Sequence, residues 1–270
     1  MSNETITSAR NQRVKRVVEL QRKSSERRAQ GAFVVEGLRE LERCVDCGFE
    51  VETLFVCVEI AGREVPDVRG AETVHVSAEV YDKMAYRGGT EGVMAVVRER
   101  KLRPEDLNLG EDALVVVVES VEKPGNLGAI LRSADAAGAD AVMVCDARTD
   151  IYNPNLIRAS VGTVFSVPCV ACGSADCIGF LKTRGIQILT AQLQDSDVYF
   201  DADMRGATAL VMGTEATGLT EQWREAADAH VRIPMLGVAD SLNVSVSAAV
   251  LLYEALRQRS EANVLHKKYK

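Results

Sequence analysis

The second half of the chain alternates short apolar runs with segments of helical period. Leu114–Glu119 reads Leu-Val-Val-Val-Val-Glu, an apolar run without polar interruption, the pattern of a strand buried on both faces of a parallel sheet. Further strands are predicted near 141–145, 186–191, 209–213 and 230–234, and helices near 126–137, 174–184, 219–228 and 243–259. That alternation predicts an open α/β sheet with its ligand crevice at the carboxyl ends of the strands.

The first half follows a different rhythm. Phe33-Val34-Val35-Glu36-Gly37 reads as a strand stopped by glycine, and Leu38, Leu41, Cys44 and Val45 then fall at helical spacing. Strands are predicted over Val51–Val58 and Gly92–Val97. Residues 99–112 are polar and contain Pro104 and Gly110, the composition of an interdomain linker. The expected division is a smaller α/β domain over 1–98, a linker over 99–112 and a larger α/β domain over 113–270.

Composition narrows the classes. Hydrophobic residues make up 47% and charged residues 26% of 270 positions, which excludes a largely disordered chain. The apolar stretch Ala113–Val118 is far short of the ~18 residues of a membrane span. The start, Met1-Ser2-Asn3-Glu4-Thr5, shows no basic segment leading into an apolar one, so no signal peptide is expected. Seven scattered cysteines fit a reduced, cytoplasmic protein.

The net charge of -7 by itself argues against a polyanionic partner, but its distribution matters more than its sum. Residues 1–32 carry eight basic side chains (Arg10, Arg13, Lys15, Arg16, Arg22, Lys23, Arg27 and Arg28) against three acids, so this segment is +5 and the remainder -12. Only local charge neutralises phosphates, so a basic N-terminal arm can track nucleic acid from an acidic body. Val14, Val17, Val18 and Leu20 lie among these charges and equally describe a solvated amphipathic helix.

Several segments carry possible chemistry. Lys123-Pro124-Gly125-Asn126-Leu127-Gly128 follows the first apolar strand, and Asp146 ends the next one. Glycines and a later acid suit a nicotinamide-binding fold, yet Gly-x-Gly-x-x-Gly is absent, which leaves a dehydrogenase as the outside alternative. Arg132 lies within Ala129-Ile130-Leu131-Arg132-Ser133-Ala134, where it either snorkels to solvent or meets an anionic ligand. Glu215 occupies the bend of Gly213-Thr214-Glu215-Ala216-Thr217-Gly218-Leu219, as a helix-capping acid or a partner for a polar group. Ser241 is a plausible N-cap for the last helix, but Asn243, Ser245 and Ser247 exceed what capping needs.

Cys44-x-x-Cys47 and Cys169-x-x-Cys172 each have half the spacing of a zinc site, with no histidine beside them. They read as buried structural cysteines, and no metal is expected. His75, His230 and His266 suggest no nucleophile–imidazole arrangement.

Taken together, Asn126–Ser133, Gly213–Leu219 and the pair Ile233-Pro234-Met235 and Ser241–Ser247 resemble the three ordered motifs of the SpoU (TrmH) family. These are S-adenosylmethionine-dependent RNA ribose 2′-O-methyltransferases of the SPOUT class. The resemblance spans about 112–260, while residues 1–100 look like the L30e-like substrate-binding domain of ribosomal-RNA and thiostrepton-resistance members. Departures are small: Ala216 stands where glycine is common, Ser133 for threonine and Asp240 for glutamate.

The resemblance implies a parallel sheet with a trefoil knot, a homodimer whose sites draw on both subunits, and methylation of structured RNA, foremost 23S rRNA. Transfer RNA is the alternative substrate, and an RNA-binding protein with a dead catalytic domain is a second class. By resemblance, Arg132 is placed at the 2′-hydroxyl, with Asn126, Glu215, Ser241 and Asn243 orienting it and Ser245 in support. Thr190, Ala191, Gln192, Gly213, Ile233, Met235 and Leu242 would hold S-adenosylmethionine. Arg10, Arg13, Arg16, Arg87 and Arg158 are the expected RNA contacts.

Overall fold

The computed structural model describes residues 5–62, 65, 67–86, 91–214 and 217–260. The chain divides into two compact units, one formed by residues 1–100 with 150–166, the other by 101–149 with 167–270.

The first unit is built on four strands, β1 (Ala32–Glu36), β2 (Val51–Val56), β3 (Glu72–His75) and β4 (Val93–Arg98), in the order β1-β4-β2-β3. β4 pairs antiparallel with both β1 and β2, while β2 and β3 are parallel. The basic N-terminal segment is no free arm. It forms the helix Gln12–Arg22, capped by the Asn11 side chain, and buries Val14, Val17 and Leu20 in the core of this unit. Such aliphatic side chains contribute about 1.5–3 kcal/mol each on burial, enough to fix the helix in place. Its basic positions remain on the outer side, so the amphipathic-helix and basic-face readings hold together.

Residues 150–166 join this unit through aromatic packing that no local pattern announces. Tyr152 stacks on Phe33 at 4.2 Å between ring centroids, and Phe165 lies 5.2 Å from Phe49. Asp150 Oδ2 accepts a hydrogen bond from Arg27 Nε at 2.6 Å, and Arg27 Nη1 donates to the Leu20 carbonyl. Arg27 is buried, so this cation serves the fold. The division expected at 99–112 did not include this insertion.

Among the described residues the second unit holds seven parallel strands. They are β5 (Leu114–Glu119), β6 (Ala141–Cys145), β7 (Cys169–Cys172), β8 (Gln187–Ala191), β9 (Asp197–Val198), β10 (Thr208–Met212) and β11 (Ala229–Arg232). Their order is β7-β6-β5-β10-β8-β11-β9, and every pairing is parallel. All six residues of β5 are buried, as its unbroken apolar run predicts. Helices Pro124–Ala137 and Val244–Ser260 pack together, as do Ser174–Thr183 and Glu221–Ala226. Among the described residues no helix is long and apolar enough to cross a membrane.

β6 and β7 lie on the opposite side of the β5–β10 pair from β8, β11 and β9. The chain runs outward from β5 through β6 to β7, then returns to β8 and inserts β10 beside β5. Ligands in open α/β sheets bind at such a switch, outside the carboxyl ends of the flanking strands. Here the register sets Val118, Met212 and Ala191 side by side at those ends.

Candidate functional site

The chain leaves β10 at Gly213 and turns back sharply. Thr214 and Gly218 exchange two backbone hydrogen bonds of 3.2 and 3.0 Å, closing the loop on itself. A Cβ on residue 213 would lie 2.2 Å from the Gly218 carbonyl carbon and 2.5 Å from the Leu219 nitrogen, so only glycine fits. Thr217 N donates to Thr214 Oγ1 at 3.1 Å.

Beneath this loop the sheet supplies a buried anchor. Glu119, the last residue of β5, is 2% exposed, and its carboxylate accepts from Thr220 N at 2.8 Å and Thr220 Oγ1 at 2.6 Å. Hydrogen bonds to a charged, desolvated acceptor are among the stronger ones. The loop 213–220 is therefore tied to the sheet at both ends.

A cavity of about 330 Å³ opens on this loop. Of the expected cofactor residues, Ala191, Gln192, Gly213 and Leu242 line it, joined by Ser241. Met212, Leu219 and Val244 add apolar wall, and Thr217, Gly218 and Ser247 add polar edge. Apolar walls with a few polar groups at this volume suit a small organic ligand. Thr190 is not on the surface of the cavity. It is buried, with its hydroxyl 2.6 Å from His230 Nδ1, and supports the strand from behind. Ile233 and Met235 follow β11 half-buried and do not line this cavity.

A second cleft of about 260 Å³ shares Gly213, Thr214, Thr217 and Val244 with the first. Asn126 lines it together with Lys123 and Arg148. Asn243 Nδ2 donates to Asn126 Oδ1 at 3.3 Å, bringing the first and third motifs together. Asn243 Oδ1 accepts from Ser245 N at 3.0 Å and Ser245 Oγ at 2.7 Å, while its carbonyl accepts from Ser247 N. Asn243 therefore caps the last helix, and the expected cap, Ser241, is exposed and faces the cavity instead.

Arg132 lies elsewhere. Its helix buries Leu127, Ile130, Leu131 and Ala134, and Arg132 is on the outward side, lining neither cleft. Six residues from Asn126 is one and two-thirds turns, which separates the two side chains by about a third of the circumference. Among the described residues Arg132 makes no hydrogen bond or ion pair. Arg132 is exposed at the helix edge, the snorkelling arrangement that its sequence setting allowed. Glu215 and Ala216 lie outside the described residues, as does Arg87.

The RNA candidates are also redistributed. Arg13 pairs with Glu72 and Arg16 with Glu52, each at 2.8 Å, so both charges are partly neutralised. Arg10, Lys15, Arg22 and Arg28 are exposed and have no ion pair among the described residues. Arg158 is exposed and borders a cleft of the first unit with Gln21, Glu36 and Arg39. Lys123, Arg148 and Thr217 escaped the sequence reading. Their signal was position, each lying just past the carboxyl end of a strand.

Residues 113–253 match the SpoU rRNA Methylase family, and residues 11–95 match the MRM3-like substrate binding domain. The chain belongs to the SpoU family. It is 34% identical over 268 residues to the 23S rRNA (uridine(2479)-2′-O)-methyltransferase of Streptomyces viridochromogenes, covering 94% of this chain and 92% of that one. It is 30% identical to the 23S rRNA (guanosine(2553)-2′-O)-methyltransferase of Bacillus subtilis (strain 168), covering 92% and 97%. The crystal structure of an AdoMet-bound rRNA methyltransferase from Sinorhizobium meliloti superposes with a TM-score of 0.86 at 30% identity, covering 94% of this chain and 97% of that one. The SpoU match contains both clefts, and the family's expected α/β architecture is the one observed.

Proposed function

We propose that this protein methylates the ribose 2′-hydroxyl of a nucleotide in 23S rRNA, with S-adenosylmethionine as methyl donor. The observation that carries the reading is the cavity at the sheet's switch point, closed by a loop in which Gly213 leaves no room for a Cβ. The fit to the cofactor is chemical as well as steric. Leu242, Met212 and Leu219 offer apolar faces for a flat adenine, and the loop backbone offers polar groups around them. Gly213, Ala191, Gln192 and Leu242 would hold the cofactor, with Thr190 behind them and Ile233 and Met235 assigned from the family resemblance.

When bound, the sulfonium supplies an activated methyl group whose leaving group is neutral. The protein must then place the hydroxyl in line and manage its proton. Asn126 and Asn243 form the polar seat for the nucleotide, with Ser241 at the cavity edge and Glu215 assigned an orienting role from the family resemblance alone. Lys123 at the second cleft would attract the backbone phosphate, beside Arg148, whose charge is shared with Glu122 of the same cleft. Arg132 cannot serve as a free base, because a guanidinium stays protonated. Its role is to grip the target phosphate in a two-pronged contact and stabilise the developing alkoxide.

Because Arg132 lines neither cleft of its own chain, the site is completed in a homodimer by Arg132 of the partner subunit. Exposed Leu236, Val238, Val246 and Tyr253 support such an assembly. Leu252, by contrast, is buried within the chain and Val250 half-buried. The trefoil knot implied by the resemblance, a cytoplasmic location and the RNA contacts of Arg10, Arg13, Arg16, Arg87 and Arg158 belong to this same reading.

A transfer-RNA substrate is disfavoured by the match of residues 11–95 to a substrate-binding domain and by relatives named for 23S rRNA. The dehydrogenase alternative loses its ribose acid, since Asp146 Oδ2 accepts from both the backbone N–H and the hydroxyl of Ser174. Calorimetry decides between cofactors. S-adenosylhomocysteine should bind one site per chain and NAD should not; NAD binding alone would overturn the proposal.

A further inference from the structure

We propose that Cys145, Cys172 and Cys177 form a binding site for a soft d¹⁰ metal cation, Cu⁺ ahead of Zn²⁺, separate from the methyl-transfer site. Their three sulfur atoms all lie within 4.8 Å of one another. With metal–sulfur bonds of ~2.3 Å, two thiolates on one ion sit roughly 3.8–4.0 Å apart in tetrahedral or trigonal geometry. The trio therefore needs side-chain adjustments of under about 1 Å, within the reach of small rotamer changes.

The topology explains why this cluster is invisible in sequence spacing. Cys169 and Cys172 are an odd number of residues apart on β7, so they point to opposite faces of the sheet. Cys145 ends the neighbouring strand β6 as the register partner of Cys172. Cys177 comes from the helix Ser174–Thr183, which covers that face. The site is thus assembled across two strands and a helix, with ligands no Cys-x-x-Cys pattern would group.

The donors on hand are all soft. Met143, two residues before Cys145 and so on the same face of β6, has its sulfur 3.5 Å from Cys177 Sγ. Three thiols and a thioether select a cation such as Cu⁺ over a hard one such as Mg²⁺. Asp146, next in sequence to Cys145, has its carboxylate engaged, since it accepts hydrogen bonds from Ser174. Access also exists. Cys145 and Cys177 are buried, but Cys172 is only half-buried and borders an open cleft beside Leu102, Arg103 and Arg184. Binding releases the thiol protons through that mouth.

The single tryptophan of the chain provides a built-in reporter. Trp223 Nε1 donates to Ser174 Oγ at 3.0 Å, at the start of the helix that carries Cys177. The full chain, reduced and anaerobic, is titrated with Cu⁺ held by a chromogenic chelator, and in parallel with Zn²⁺, while Trp223 fluorescence is followed. One Cu⁺ per chain is expected, with quenched fluorescence and tighter binding than Zn²⁺. Cys172→Ser should weaken Cu⁺ binding by roughly 100-fold or more, through loss of one ligand. Cys47→Ser, which removes a half-buried cysteine outside the cluster, should bind like the wild type. Wild-type-like affinity in Cys172→Ser, absence of stoichiometric uptake, or a preference for Zn²⁺ would overturn the proposal. Should Cys172→Ser fail to fold, alkylation of the wild type decides: one equivalent of Cu⁺ must protect Cys172 from iodoacetamide, and unprotected modification refutes the site.

Discussion

Alanine at position 213 tests the cofactor cradle at its tightest point. Its added methyl would fall 2.2 Å from the Gly218 carbonyl carbon, 2.3 Å from the Gly218 oxygen and 2.5 Å from the Leu219 nitrogen. All three are backbone atoms, so no side chain can rotate aside, and the loop must move by about 1 Å or more to restore contact distances near 3.5 Å. Overpacking of this kind costs about 1–3 kcal/mol. If the strain is relieved by opening the Thr214–Gly218 turn, the whole cost falls on the binding-competent loop. S-adenosylmethionine should then bind roughly 5- to 150-fold more weakly, at 1.4 kcal/mol per factor of ten. Gly218→Ala is the internal contrast. Nothing lies within 4 Å of a Cβ there, but its φ of +69° is costly for other residues. A cost of about 1 kcal/mol predicts roughly fivefold weaker binding. Isothermal titration of both variants with S-adenosylmethionine, alongside thermal unfolding, provides the comparison. A Gly213→Ala protein that binds as tightly as the wild type would show that the loop's closure has nothing to do with the cofactor.

Four further outcomes follow from the site and its supports. Arg132→Ala should leave folding and S-adenosylmethionine affinity unchanged, because the side chain is exposed; single-turnover methylation should fall by ~100-fold or more, unrescued by Arg132→Lys. Asn243→Ala should cost about 1 kcal/mol in urea unfolding through loss of the helix cap, and lower methylation further than Asn243→Asp, which keeps the acceptor. Glu119→Ala strips both Thr220 donors of their acceptor; a loss of about 2–3 kcal/mol is expected in the same unfolding assay. Neutralising Arg10, Lys15, Arg22 and Arg28 should weaken RNA binding and flatten its salt dependence, whereas neutralising the paired Arg13 and Arg16 should do less, as read by filter binding across a salt series.

What the sequence revealed depended on how local each signal was. The β5 run Leu114–Glu119 and the β6 run Ala141–Cys145 were legible to the residue, since burial on both faces leaves an apolar pattern in the chain itself. β7 was missed: it has four residues between Pro168 and Gly173, and only two of them are buried. The attachment of 150–166 to the first unit rests on Phe33–Tyr152 stacking and the Arg27–Asp150 pair, contacts more than a hundred residues apart that no period encodes.

The site shows the same division. Gly213 and Leu242, which lie in the family motifs, and Gln192, named from the resemblance alone, share one cavity. The setting of Arg132 stayed open in the sequence because alanine occupies exposed and buried helix faces alike, so Ala129 and Ala134 do not say which face the arginine takes. Capping was misassigned for a related reason. Ser-Leu-Asn-Val-Ser-Val-Ser offers several residues able to cap, and only the observed acceptance by Asn243 Oδ1 separates them.

The most direct test is transfer to defined RNA. Total RNA from a strain lacking this gene is incubated with the purified protein and S-adenosylmethionine, and ribose methylation is mapped along every ribosomal and transfer RNA. A single new 2′-O-methyl group in 23S rRNA, absent with Arg132→Ala, is the expected result. Methylation confined to transfer RNA, or methyl groups on bases rather than ribose, would contradict it.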